Sequence, residues 1–153
     1  MTASLAVAFL GGAAWYVVSV EKRLAHSFRM VDVMADYQRY ADKMRFAGAA
    51  ENWELARWYL WKLGTASWVV TDGLVEEYRG VEDYDVVELT QSMLWPALER
   101  LDSAIEAKDP ESFQSAYQVL INTCNACHHA TRHGFVNIVE ADIPTHRNQQ
   151  YSR

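Results

Sequence analysis

The chain has 153 residues, half of them apolar, and carries a formal net charge of −6. This length and apolar content predict one domain with a proper core and a short appendage. The acidic balance argues against a nucleic-acid-binding protein, because such proteins depend on Lys and Arg contacts to phosphate.

The segment from residue 4 to residue 20 is an apolar run without a charged side chain. It has about the minimum length for a membrane-spanning helix, and Trp15 and Tyr16 lie toward its far end, where interfacial aromatics are common. Residues 1–21 are therefore expected to be a membrane anchor or an uncleaved signal. We favour a retained anchor, because no convincing small-residue cleavage site follows, but a cleaved export signal stays open.

Four amphipathic segments follow, and they predict an all-α fold in which residues 22–134 form an antiparallel four-helix bundle. Each segment repeats apolar residues at helical spacing, and polar links join one segment to the next. The four helices are predicted over residues 27–47, 53–72, 85–107 and 110–134. Residues 135–153 lack this pattern and are expected to form an irregular tail.

Glycine, proline and capping residues predict where these helices begin, bend and end. Gly48 and Gly134 are expected to end the first and fourth helices, since glycine is favoured just past a helix C-terminus. Asn52 and Asp109 are expected to cap the second and fourth helices at their N-termini. Pro96 is expected to kink or divide the third helix, because proline lacks an N–H and clashes one turn back.

The inner face of the first helix carries Met30, Met34 and Met44 when residues are placed at 100° steps. A methionine stripe at this spacing is more often plain core than a set of ligands. Asp42 falls on the opposite, polar face of the same helix. The methionines are accordingly predicted to be buried and Asp42 to be exposed.

Three tryptophans of the second helix, Trp58, Trp61 and Trp68, project away from its apolar face and among charged side chains. Large aromatics that are exposed in a cluster mark an interaction surface. The other interpretation is that a loop or the anchor covers them. Both interpretations stay open at the level of the sequence.

The fourth helix contains the sequence CNACH at residues 124–128, with the only two cysteines of the chain. Cys-x-x-Cys-His is the attachment signature of c-type haem, in which both thiols bind the porphyrin and the histidine binds iron. The motif lies on the core-facing side of the helix, within about 120° of its apolar residues. The sequence therefore predicts one haem c bound through Cys124 and Cys127, with His128 as the proximal iron ligand.

Two other uses of paired cysteines fit the sequence less well. A redox Cys-x-x-Cys motif requires a βαβ context, and the chain shows no alternating strands. A structural zinc site requires a second pair of ligands, and neither His129, His133 nor His146 belongs to a motif at the required spacing. Because haem c is assembled outside the cytoplasm, the motif also predicts export.

With its haem motif on the last helix of a four-helix bundle, the chain resembles the class II c-type cytochromes, the cytochrome c′ type. The resemblance covers residues 27–133. Members of that family carry a basic residue four positions after the histidine, and Arg132 occupies that position here. The resemblance thus implies that Arg132 belongs to the haem site.

The resemblance also implies that the first helix lines the distal side of the haem. Some members of the family leave this side open behind apolar side chains and bind NO or CO, whereas others fill it with methionine and transfer electrons. Met30 or Met34 is the candidate distal ligand here. Members of the family commonly dimerise, so a homodimer is a further expectation.

The expected function is that of a monohaem cytochrome, anchored through residues 4–20 on the periplasmic side of the bacterial cytoplasmic membrane. It would transfer electrons to or from a membrane-bound redox complex or another electron-transfer protein. The alternatives are a five-coordinate haem protein that binds NO or CO, and a soluble periplasmic form after signal cleavage. No enzymatic activity is expected, because the first helix supplies no inward histidine for peroxidase-like acid–base chemistry. No nucleic-acid partner is expected either, because the net charge is −6.

Overall fold

The computed structural model of the protein describes Tyr16 and residues 28–72, 75, 84–144 and 149–152. The predicted anchor at residues 4–20 therefore lies outside the described residues, except for Tyr16. Within the described part, every regular element is a helix, and none of these helices is both long and apolar enough to cross a membrane.

Four helices make up the described part of the fold from residue 28 onward, which confirms the all-helical prediction. α1 spans Met30–Ala49 and α2 spans Trp53–Thr71. α3 comprises three consecutive segments, namely an α-helical turn at Val86–Leu89, a π-helical turn at Thr90–Leu94 and an α-helix at Trp95–Ala107. α4 spans Pro110–Ala130.

The helices contact one another in a ring, from α1 through α2, α3 and α4 back to α1. Tyr37 of α1 lies near Cys124 of α4, and Gly48 lies against Phe113. Residue numbers therefore rise along α1 as they fall along α4, so these two helices run in opposite directions. The arrangement is consistent with a helical bundle.

The apolar faces of the four helices meet in a main core that runs through the middle of the fold. The most deeply buried large side chains in it are Met44, Leu63, Leu101, Ile105, Phe113 and Leu120. A second apolar group, here called the end cluster, consists of Met30, Val33, Val70 and Val75. The burial of these residues confirms most of the helix faces that the sequence predicted to point inward.

Asp42 is an exception, because it is only 7% exposed although the helical projection placed it on the polar face. Its carboxylate is close enough to Tyr117 and Tyr151 to influence both of their hydroxyl groups. Tyr151 belongs to the C-terminal tail, which lies over this side of α1. The prediction was wrong because a projection of one helix cannot anticipate a segment that covers it from outside.

Both glycine-based predictions of helix ends were wrong. Gly48 lies inside α1, packed against the Phe113 ring, and α1 ends at Ala49 with Glu51 in the left-handed region at φ 54°. α4 ends at Ala130, and Arg132 rather than Gly134 takes the left-handed conformation, at φ 61°. In both cases hydrogen bonds back to the last turn compensate for the strained residue.

Pro96 disturbs α3 as expected, and the disturbance takes the form of the π-helical turn just before it. The N–H of Trp95 donates to the carbonyl of Thr90, five residues earlier. The wider turn relieves the clash that the proline ring would otherwise make with the carbonyl one turn back.

The C-terminal tail has no regular secondary structure in its described residues. It turns back after α4 and follows the bundle surface. Glu140 accepts hydrogen bonds from Arg45 at 2.5 Å and from Gln114, and Asn52 donates to the carbonyl of Tyr151 at 3.0 Å. The tail is thus attached to α1, α4 and the link between α1 and α2.

Candidate functional site

The two cysteines lie on the C-terminal half of α4, and both are partly buried. Cys124 packs against the main core. Burial raises the pKa of the Cys124 thiol to about 11, and the pKa of Cys127 is also raised by burial. A redox-active Cys-x-x-Cys motif needs a thiol with a lowered pKa, so this environment does not favour disulfide exchange.

Tyr37 of α1 faces the two thiols from across the bundle. Burial is the main cause of its strongly raised pKa, which the nearby Ser67 hydroxyl counteracts and the two cysteines increase further. The Tyr37 hydroxyl is completely buried and makes no hydrogen bond of normal geometry within the described structure. A buried hydroxyl beside two thiols is thus left with a donor available for a bound group.

His128 comes directly after Cys127 in the last turn of α4. Its Nδ1 atom lies 2.8 Å from the backbone carbonyl oxygen of Val136. Because a carbonyl oxygen can only accept a hydrogen bond, Nδ1 carries a proton, and in the neutral imidazole Nε2 then has the lone pair. Metal-binding histidines usually have this arrangement, with one ring nitrogen on the metal and the other donating to an oxygen.

Met30 and Met34 lie in or beside the end cluster, Met30 being 6% exposed. Extended along the antiparallel pair, the register set by Tyr37 near Cys124 and Gly48 against Phe113 brings Met34 level with Cys127 and Met30 level with Thr131. Both methionines are therefore within about one helical turn of the level of His128. Met44 is fully buried in the main core, farther along the bundle.

Arg132 is exposed and occupies the left-handed position that follows α4. Its backbone N–H donates to the carbonyl of His129 at 3.2 Å. The structure thus gives Arg132 a part in ending the helix. Its contact with haem stays a prediction from the resemblance.

The remaining described histidines lie near the motif but do not join it. His129 is exposed, and a ring nitrogen of His133 lies 3.3 Å from the hydroxyl of Thr131. No group of three or more His, Cys, Asp or Glu side chains in the described part of the chain could hold a metal ion. A haem iron does not need such a group, since the porphyrin supplies its equatorial ligands.

The residues present fit a covalently bound haem in several respects. Two thiols have the required spacing on one helix, and the adjacent imidazole keeps one nitrogen available. Tyr37 offers a buried hydroxyl near enough to the thiols to be influenced by them, and the end cluster supplies apolar surface from α1 together with Val70 and Val75. The combination of thioether attachment and a single protein imidazole is the donor set of c-type haem.

The three tryptophans of α2 are exposed, each by slightly more than half of its surface. Together with Trp95 of α3 they line an open groove of about 670 Å³. Lys62 lies over the rings of Trp58 and Trp61. No described residue covers this surface fully.

Sequence reasoning missed three parts of the site. Tyr37 falls on the inner face of α1 by its helical spacing, but periodicity alone cannot show that it lies near the cysteines. Asn125 lies at a variable position of the motif, yet its side chain binds the backbone of Ile138. The role of Val136 is carried by its backbone carbonyl, which leaves no signal in side-chain identity.

No family model matches the chain, and neither a curated protein nor a solved structure matches it significantly. The interpretation of this site therefore rests on its own residues. These are the thiols of α4, His128 with its carbonyl partner, and the facing side chains of α1.

Proposed function

We propose that the protein is a monohaem c-type cytochrome of the cytochrome c′ type. It transfers electrons to or from a membrane-bound redox complex or another electron-transfer protein, on the periplasmic side of the membrane, with residues 4–20 as its anchor. The observation that carries the proposal is the hydrogen bond of His128 Nδ1 to the Val136 carbonyl at 2.8 Å. It leaves Nε2 as the ring nitrogen that can bind the iron.

The chain's own residues would hold the haem and control its surroundings. Cys124 and Cys127 fix the macrocycle to α4, and His128 binds the iron through Nε2. The haem, when bound, supplies reversible one-electron chemistry. The end cluster excludes water from the facing side, and Tyr37 donates a hydrogen bond into the site from α1.

Met30 and Met34 support electron transfer over the other functions, because a methionine sulfur opposite histidine raises the reduction potential and closes the iron to other ligands. Each lies within about one turn of the level of His128. We propose one of these two methionines as the distal ligand.

A second candidate function is the binding of NO or CO by a five-coordinate haem. The observation that favours it is the valine-rich composition of the end cluster, in which Val33, Val70 and Val75 surround the methionines. If neither methionine reaches the iron, these side chains would form an apolar pocket that admits small uncharged gases.

Mass spectrometry and absorption spectra of protein from a host that assembles haem c test the proposal. We expect a mass larger than that of the polypeptide by one haem, and a low-spin spectrum with a methionine-to-iron charge-transfer band. Free thiols and the bare polypeptide mass would contradict the haem assignment. A high-spin ferrous spectrum that changes on addition of CO would instead select the gas-binding function.

The same spectra identify the distal ligand in two single variants. Either Met30→Ala or Met34→Ala should abolish the charge-transfer band, because only one sulfur occupies the position. Met93→Ala, which removes a methionine from α3, is the matched control and should leave the band unchanged. Retention of the band in both α1 variants would rule out a methionine of this helix.

A further inference from the structure

A short segment after α4, residues 133–140, runs back along the helix that carries the haem motif, and we call it the strap. It begins where the N–H of His133 donates to the carbonyl of His128 at 2.6 Å. The N–H of Val136 then donates to the carbonyl of His133 at 2.8 Å, which closes the reversal. The strap thus returns toward residues 124–128.

Asn125 holds the strap through two hydrogen bonds to one residue. Its Oδ1 atom accepts from the N–H of Ile138 at 2.7 Å, and its Nδ2 atom donates to the carbonyl of Ile138 at 2.9 Å. A side-chain amide can make this paired contact because it offers a donor and an acceptor side by side. Asn125 lies inside the CNACH sequence, between the two cysteines.

The strap binds through its backbone more than through its side chains. Phe135 and Val139 are 83% and 70% exposed, whereas the partly buried Ile138 packs against the main core. Hydrophobic burial of Phe135 and Val139 therefore does little to fix the strap near the motif. Beyond Val136, the paired contact with Asn125 is the first hydrogen-bonded attachment of the strap to α4.

Ile138 lies two positions after Val136, whose carbonyl accepts the hydrogen bond of His128 Nδ1 at 2.8 Å. Movement of Ile138 away from α4 would carry this carbonyl with it. An acceptor at Nδ1 fixes the ring tautomer and orientation, and it makes the opposite nitrogen a stronger donor to a metal.

We propose that Asn125 is a positioning residue that latches the strap, so that the Val136 carbonyl orients His128 and strengthens its bond to the haem iron. This inference rests on the proposed function for the identity of the metal, but the hydrogen-bond geometry is independent of it. The strap thereby sets the reduction potential from the proximal side, separately from the distal ligand.

The test compares Asn125→Ala with Asn122→Ala in the haem-loaded protein. Asn122 is an exposed residue of the same helix, and its Oδ1 accepts from Gln118 rather than from the strap. We expect Asn125→Ala to raise the midpoint potential, because a weaker histidine donor stabilises the ferric state less. The ferrous iron–histidine stretching frequency should fall at the same time, and Asn122→Ala should change neither quantity. Resonance Raman measures this frequency in the five-coordinate ferrous haem, so it is recorded in a background that lacks the distal methionine.

Ile138→Pro tests the same contact by a change in the strap, since proline lacks the N–H that donates to Asn125 Oδ1. This variant should shift the potential in the same direction as Asn125→Ala. The double variant should shift it no further, because both changes break one interaction. Additive shifts, or an unchanged potential and stretching frequency in Asn125→Ala, would overturn the proposal while leaving the haem assignment intact.

If the wild-type protein carries no haem, the proposed function fails and the latch is tested by ¹⁵N NMR of the His128 ring. The latch predicts a dominant Nδ1–H tautomer in the wild type and in Asn122→Ala. It also predicts a mixture of tautomers in Asn125→Ala. An identical tautomer ratio in all three proteins would overturn the inference.

Discussion

Two glycines inside helices, Gly48 and Gly64, have opposite surroundings. A Cβ atom at Gly48 would overlap the ring of Phe113, whereas a Cβ atom at Gly64 would meet the Trp95 ring at an ordinary 3.7 Å. Phe113 cannot move aside easily, because it is 2% exposed and packs against another core ring, that of Trp53. Of these two positions, only Gly48 therefore has no room for a side chain.

We predict that Gly48→Ala lowers the free energy of unfolding by about 2 kcal/mol, because overpacking a core forces neighbours to shift. The matched variant Gly64→Ala should raise it by about 0.5–1 kcal/mol, since alanine loses less backbone entropy in a helix. Urea denaturation measures both. Equal effects of the two substitutions would show that the contact with Phe113 does not control stability.

Three helices end with the same pair of backbone hydrogen bonds and with a residue other than glycine in the left-handed region. In α3 this residue is Lys108, at φ 54°, and its N–H donates to the carbonyl of Ile105. The N–H of Asp109 donates to the carbonyl of Ala104 at 3.2 Å. α1 and α4 repeat the pattern around Glu51 and Arg132. For this reason the prediction that glycine ends α1 and α4 was wrong.

Lys108→Gly is therefore predicted to raise the free energy of unfolding by about 1 kcal/mol, because only glycine adopts the left-handed conformation without a steric penalty. Lys108→Ala keeps the Cβ atom and serves as the control, with little change expected. Thermal denaturation of both variants provides the measurement. A gain in stability from alanine as large as that from glycine would mean that loss of the lysine charge, not backbone strain, is responsible.

At the scale of the whole molecule, the C-terminal tail joins helices that are distant in sequence. Glu140 is its central attachment, bound by Arg45 at 2.5 Å and by Gln114. Burial is the largest single influence on Glu140 and raises its pKa, but the hydrogen bonds and the charge of Arg45 together lower that pKa below the ordinary value of 4.5.

A lowered pKa means that ionised Glu140 stabilises the folded protein. This stabilisation is complete above the pKa that Glu140 has in the unfolded chain. It is lost as the pH falls through the lower pKa of Glu140 in the folded protein, which lies below 4.5. We predict lower protection factors for the amide hydrogens of residues 136–144 in that acid range, measured against the intrinsic exchange rate at each pH. Glu140→Gln should show faster exchange already at neutral pH, from a loss of about 1 kcal/mol.

The control for this prediction is Asp142→Asn, because Asp142 is an exposed carboxylate of the same tail. Its variant should keep the pH dependence of the wild type. An unchanged acid response in Glu140→Gln would show that another carboxylate attaches the tail.

The sequence by itself determined the four helices, most of their inner faces and the CNACH motif, because these depend on local spacing that each helix repeats. It also indicated the disturbance at Pro96, which follows from the chemistry of proline alone. Only the tertiary structure brought Tyr37 to the thiols and the Val136 carbonyl to His128, and buried Asp42 beneath the tail. Those outcomes depend on which segments pack together, and the partner atoms are in large part backbone groups that every residue carries.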